Sequence, residues 1–439
     1  MRLRWSDPEP EDPATPLHWR YAAWILASLF LNLQFWLFVA MEFPIHRPIT
    51  LYVAGLAVAS CLVAILFFAG PALLVQAAGQ SLSSILETAF GSLPAQILRA
   101  MSALFLALWI ASLIALVSAA LSYLGLPTPA TCVVLAAILA YLLASGAQSL
   151  RTNAMLARFV DKLAIAILIA AFIRVRSGWL GIETGFPLMR GDNSLPPWWG
   201  ISAYTISSLC SYTAPLALLA ADFSRHSSGR KQLALTGLSI AVPLFLTLLF
   251  VSMIGVATWA SPYYQPSLQP TVYMALFSKT AGSAVPWRML LVEITIFGAA
   301  RFGARMLSDF LSFRSMPLRW RGLPLACAGG AILWLSFQGF APGFFVSLTQ
   351  SARCLAIVAA VLTADAITGK RRAIPASKFN LAGTIALLAG LALPLYLPRL
   401  ADGGADHGWL LPSYAAAFLT RLLLRFIPLS QARTSTTLS

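Results

Sequence analysis

Ser202-Ala-Tyr204-Thr205-Ile-Ser207-Ser208-Leu-Cys210-Ser211-Tyr212-Thr213-Ala214-Pro215 is the stretch that decides how this chain folds. It holds nine polar or sulfur-bearing residues between Ser202 and Thr213, yet it opens an apolar run that ends at Asp222-Phe-Ser-Arg225. Such a run is long enough to cross a bilayer, where hydrocarbon offers hydroxyls no partner. A proline in the span frees backbone carbonyls and predicts a helix break at Pro215. Hydroxyls beside a break near the bilayer midplane are how transporters build a solute site. The alternative is that each hydroxyl bonds to its own helix or packs against a neighbour.

The rest of the chain supports a membrane reading. Of its 439 residues 59% are hydrophobic and only 10% charged, with a mean hydropathy of +0.78. That composition belongs to an integral membrane protein. The net charge of +15 would suggest nucleic acid in a soluble domain. Here it reflects basic loops, and no nucleic-acid partner is expected. Cys61, Cys132, Cys210, Cys327 and Cys354 lie in apolar stretches, form no CxxC and read as small hydrophobes. His18, His46, His226 and His407 are scattered, so no metal site is expected. Nor is there an HExxH or a paired-acid arrangement that would make this an enzyme.

Apolar runs of bilayer length predict an all-α protein with about twelve spans. They are Ala22–Met41, Ile49–Leu74, Leu98–Leu121, Thr128–Ser145, Ala157–Ile173, Gly200–Ala221, Leu233–Ala260, Pro286–Asp309, Leu323–Gln338, Phe344–Ala366, Leu381–Leu397 and Leu410–Phe426. Basic residues cluster in alternate loops, at Arg151/Arg158/Lys162, Arg225/Arg230/Lys231, Arg314/Arg319/Arg321 and Lys370–Arg372. With those loops inside, both termini face the cytoplasm of a cell (inner) membrane protein. No signal peptide is expected ahead of the first span. The first span carries Asn32-Leu-Gln34-Phe-Trp36, and the sixth carries the hydroxyl cluster. Interruptions at matching points of two five-helix halves point to a binding site between them.

Several segments carry a family likeness. Ala220-Ala-Asp222-Phe-Ser-Arg225-His226 with Gly229-Arg-Lys231 resembles the close of the sixth span in the cytosine/purine/uracil/thiamine/allantoin permease family, the nucleobase–cation symporters. Glu87-Thr-Ala-Phe90-Gly91, Leu98-Arg99-Ala100, Asn32–Trp36, Ala299–Gly322 and Ala364-Asp365 with Gly369–Arg372 resemble further family segments in the same order. The resemblance implies a five-plus-five inverted repeat (LeuT-type) with two extra C-terminal helices. On this reading residues 1–20 and 428–439 are tails, 21–174 and 195–372 the two repeats, and 379–427 the trailing pair. It further implies alternating access and cation-coupled uptake of a small, flat, nitrogen-rich solute such as a nucleobase, hydantoin or allantoin relative, with Na+ or H+ as coupling ion and no other cofactor. Beyond the bilayer and that solute, no obligate protein partner is expected.

The chain departs from the family where the substrate would sit. Its third span has Trp109 but no glutamine, and Tyr212 is the aromatic nearest to the family's sixth-span tryptophan. The family's paired eighth-span asparagines align with Phe297 and Arg301, and its sodium-holding hydroxyls with Thr295 and Ile296. Candidate substrate contacts are therefore Asn32, Gln34, Trp36, Trp109, Ser208, Ser211, Tyr212, Thr213 and Arg301. Arg301 would supply a fixed positive charge in place of sodium, or grip an anionic or carbonyl-rich solute through its planar fork. Arg305 shares its helix face but lies nearer the span's end, where snorkelling suffices.

Glu293 stands about 12 Å along the helix from Arg301 and, with Thr295, is the candidate for cation or proton coupling. Asp222 with Arg225, and Asp365 with Lys370–Arg372, read as gating or structural pairs at cytoplasmic helix ends, as does Asp161-Lys162. Two other readings stand beside the leading one. One is an amino-acid or carboxylate carrier on the same fold, the other a transport-inactive membrane sensor or scaffold.

Overall fold

The computed structural model describes residues 19–31, 49–122, 155–166, 213–227, 229–259, 342–368, 379–396 and 410–426, and single residues between them. The labelled helices are α1 (Trp19–Phe30), α2 (Ile49–Leu62), α3 (Gly70–Ala78), α4 (Leu82–Phe90), α5 (Ser92–Ser122), α6 (Arg230–Trp259), α7 (Pro342–Thr368), α8 (Leu381–Tyr396) and α9 (Leu410–Phe426). A π-helical segment, Val63–Ala69, joins α2 to α3, and a 3₁₀ turn, Ala221–His226, closes the expected sixth span. Among the described residues, four helical stretches are long and apolar enough to cross a membrane: Ala54–Ala78, Ser92–Ala111, Arg230–Leu249 and Ser351–Thr368. Their outer faces carry exposed Ile65, Ile97, Leu104 and Leu238, as a lipid-facing surface requires.

Several boundaries differ from the sequence reading. The second span runs four residues past Leu74, to Ala78, where Gly79 (φ 61°) turns the chain and its N–H closes on the Val75 carbonyl at 3.0 Å. Only glycine takes that conformation without steric cost. A separate short helix, α4, then precedes the third span, and α5 starts at Ser92 instead of Leu98. Helix α4 opens on the Ser81 cap, and Leu82, Ile85, Leu86, Ala89 and Phe90 form its buried face. Pro215 does not end its helix, because residues 213–220 are helical through it. The expected fourth, eighth and ninth spans lie almost wholly outside the described residues.

One core joins these elements. Helix α1 packs on α6, and α6 on α2; α3 meets the 3₁₀ turn; α7 contacts α3, α5 and the trailing helix α9. At its centre Ile25, Leu29, Phe30, Leu56, Phe67, Phe68 and Phe90 are fully buried.

The π segment follows from Pro71. In an i→i+5 register the partner of the Leu66 carbonyl would be the nitrogen of Pro71, which has no hydrogen to give. Side chains take over. Tyr414 Oη on α9 donates to that carbonyl at 3.1 Å. Thr363 Oγ1 on α7 lies 2.9 Å from it, and 2.8 Å from its own Ala359 carbonyl. The trailing helix thus anchors the widened turn. Tyr414→Phe should lower stability by about 1 kcal/mol, and adding Thr363→Val should bring the loss to about 1–3 kcal/mol as the carbonyl loses its last donor. Thermal unfolding of the detergent-purified variants measures both steps.

Candidate functional site

The site begins where α1 ends. The helix stops at Phe30, and Leu31 is a bend whose N–H still reaches the Ala27 carbonyl at 2.9 Å. Phe30 and Leu31 are buried, so the described helix ends inside the protein. Asn32, Gln34 and Trp36 follow directly, outside the described residues. The break expected in the first span therefore coincides with an observed helix end.

On the sixth span Thr213 is fully buried and already engaged, and Cys210 is buried too. Ser208, Ser211 and Tyr212 lie outside the described residues, as do Glu293, Thr295 and Arg301. Trp109, on α5, is 6% exposed. Its ring lies against Gly303, where an added Cβ would stand 2.5 Å from Cζ3 and 2.8 Å from Cε3. Gly303 follows Arg301 by two positions, so the structure brings the third-span tryptophan against the segment that carries the candidate arginine. Gly303→Val should cost about 1–3 kcal/mol by overpacking. Combining it with Trp109→Ala should recover part of that loss, which a double-mutant cycle on unfolding temperatures would read.

At the basic end of the sixth span a polar knot ties it to its neighbours. The Asp222 carboxylate accepts from the Leu82 N–H, the first of α4, at 2.6 Å. Its other oxygen lies 3.6 Å from Arg225 Nη1. Arg225 Nε donates to His226 Nε2 at 2.9 Å, which requires a neutral imidazole with its proton on Nδ1. Ser224 Oγ lies 2.6 Å from the Ala221 carbonyl of its own turn and 2.9 Å from the Ala72 carbonyl, and Gln76 Nε2 donates to the Ser227 carbonyl at 3.2 Å. Nearby, Arg99 pairs with Glu87 at 2.7 Å and donates to the Ser83 carbonyl at 2.8 Å, which fixes α4 on α5.

Among the described residues, Asp365 has a partner the sequence reading did not name. Arg421, on the trailing helix α9, grips it through two parallel bonds of 2.9 Å each. Lys370–Arg372 lie outside the described residues. Sequence reasoning passed over Arg421, although an arginine inside an apolar span is itself a signal. Asp161 and Lys162 do not pair: Asp161 is fully buried and Lys162 exposed.

No family model matches this chain, and no curated protein is similar in sequence. Solved structures are similar in fold. The chain has an all-α inverted-repeat membrane fold. It is similar to Mhp1, a nucleobase-cation-symport-1 family transporter in a closed conformation with bromovinylhydantoin bound, with a TM-score of 0.68 at 16% identity over 97% of this chain and 96% of that one. A Na+-coupled sialic acid symporter in a substrate-bound outward-open state follows, with a TM-score of 0.66 at 11% identity over 93% of this chain and 90% of that one. The inward-facing form of Mhp1 gives 0.57 at 14% identity, over 93% of this chain and 91% of that one. The all-α inverted-repeat membrane fold expected from the family resemblance is thus observed.

Proposed function

We propose that this protein is a secondary transporter of the cell (inner) membrane, a divergent relative of the nucleobase–cation symporters that moves a small nitrogen-rich solute by alternating access. The observation that carries this reading is the burial of the α1 terminus inside a bundle whose fold matches Mhp1 over nearly its whole length. In this proposal twelve spans cross the membrane, α8 and α9 are the trailing pair, and both termini are cytoplasmic. The solute lies between Asn32, Gln34 and Trp36 on one side and Ser208, Ser211, Tyr212 and Thr213 on the other. Trp109 and Arg301 close the pocket. Na+ or H+ drives uptake, with Glu293 and Thr295 as coupling candidates and Asp222, Arg225 and Asp365 outside the pocket. The likeness is greater to the closed form of Mhp1 than to its inward-facing form, which supports assigning this structure to a state closed to the cytoplasm.

A second reading, a carboxylate carrier, draws on the sialic acid symporter, whose solute is an acid and whose fold is nearly as similar. Arg301 would then meet the carboxylate. One experiment separates the two: uptake of radiolabelled nucleobases, hydantoins and amino or sialic acids into proteoliposomes under Na+ and pH gradients. Uptake of a heterocycle, reduced about 5- to 150-fold in Trp109→Ala by the loss of about 1–3 kcal/mol of ring stacking, is the expected result. Binding without uptake would overturn the transporter reading.

A further inference from the structure

One ionisable side chain takes no part in any contact described so far. In the helical run 155–166, Ala157, Val160, Asp161 and Ala164 are buried, while Arg158, Phe159, Lys162 and Ile165 are exposed. Positions i, i+3, i+4 and i+7 form one helix face, and Asp161 lies within it. It is fully buried, and among the described residues neither of its carboxyl oxygens has a hydrogen-bond partner. The turns on either side present Ala157 and Ala164, which have no donor to give.

The other described charges are accounted for. Glu87 is held by Arg99, Asp222 by Arg225 and Asp365 by Arg421. Arg353 is engaged, and not with Asp161. His226 receives its bond from Arg225. Arg20, Arg158, Lys162, Arg230 and Lys231 are exposed.

A bare carboxylate in such a place costs several kcal/mol, whereas the neutral acid avoids most of that cost. A hard metal cation would need several oxygen ligands, and this face of alanine and valine supplies none beyond Asp161 itself. We infer that Asp161 is a proton-binding site: its carboxyl carries a proton in this closed state and loses it when water reaches the helix face. One O–H bond breaks, the proton passes to water, and a carboxylate is left. Asp161 belongs to the basic end of its expected span, beside Arg151, Arg158 and Lys162, so release is to the cytoplasm. The release to the cytoplasm rests on the transporter reading; the protonation does not.

Infrared difference spectroscopy on the full chain in lipid tests it. With ¹³C-aspartate labelling, the wild type should show a protonated-aspartate C=O band at neutral pH that disappears on alkaline titration. That band should be absent from Asp161→Asn. Should Asp161→Asn fail to fold, Asp161→Glu moves the acid out of the labelled set, and the ¹³C-sensitive band must vanish with it. A wild type with no such band, or a band retained in the folded variant, overturns the assignment. A failed uptake panel combined with a titrating Asp161 band would reject the transporter and keep the proton site.

Discussion

Arg421→Met should destabilise this protein by about 3–5 kcal/mol, and Asp365→Leu introduced alongside it should restore most of the loss. Both side chains are nearly enclosed, at 7% and 11% exposure. Their two parallel bonds match a planar guanidinium to a carboxylate. Removing the guanidinium takes two charge-assisted bonds from a carboxylate held away from water, and that loss, rather than the net attraction, sets the size of the effect. Removing both leaves two apolar side chains of similar bulk between α7 and α9, an exchange that is often neutral. Unfolding temperatures of the two single variants and the double variant measure the cycle. A double variant as unstable as Arg421→Met alone would show that the pair acts through something other than mutual neutralisation.

That pair also shows which parts of the structure the sequence revealed. Span composition and the order of weak motifs were enough for the fold, because the bilayer restricts the chain to apolar helices of set length. Asn32 and Gln34 in an apolar run raised the expectation of an interruption, and the described end of α1 at Phe30 lies just ahead of them. Helix α4 was overlooked for a simple cause: a search for twenty apolar residues passes over a nine-residue amphipathic helix, although Leu82, Ile85, Leu86, Ala89 and Phe90 carry its period. The bond from Arg421 to Asp365 was not legible, since Arg421 is 56 residues away. The π segment was half visible. Pro71 announces a lost donor, but no local rule says that Tyr414, 348 residues distant from Leu66, will supply another. Asp161 misled for the opposite reason. Lys162 beside it suggested a pair, yet consecutive residues on a helix point about 100° apart, and one is buried while the other is exposed.

Under the proposed alternating-access cycle, Asp222→Ala should shift the balance between cytoplasm-closed and cytoplasm-open forms toward the open one by a factor of about 10 to 150. The carboxylate holds the first N–H of α4, at the positive end of that helix. It also faces Arg225 one 3₁₀ turn away, where i and i+3 eclipse. A charge-assisted bond in so enclosed a place contributes about 1.5–3 kcal/mol, which corresponds to that range of equilibrium constants. The bond joins the end of the sixth span to the junction between the second and third. If alternating access parts those elements, it exists only in the closed form, and its whole contribution biases the equilibrium.

Ser224 reports the change. It is 3% exposed, and its Oγ lies 2.9 Å from the Ala72 carbonyl across the same junction. In a chain whose native cysteines have been replaced, Ser224→Cys should react with a membrane-impermeant maleimide from the cytoplasmic side about tenfold faster or more when Asp222→Ala is added. Asp222→Asn, which keeps an acceptor and loses the charge, should fall between. Equal labelling rates in all three would mean that the knot persists through the cycle, and that Asp222 builds the fold without gating it.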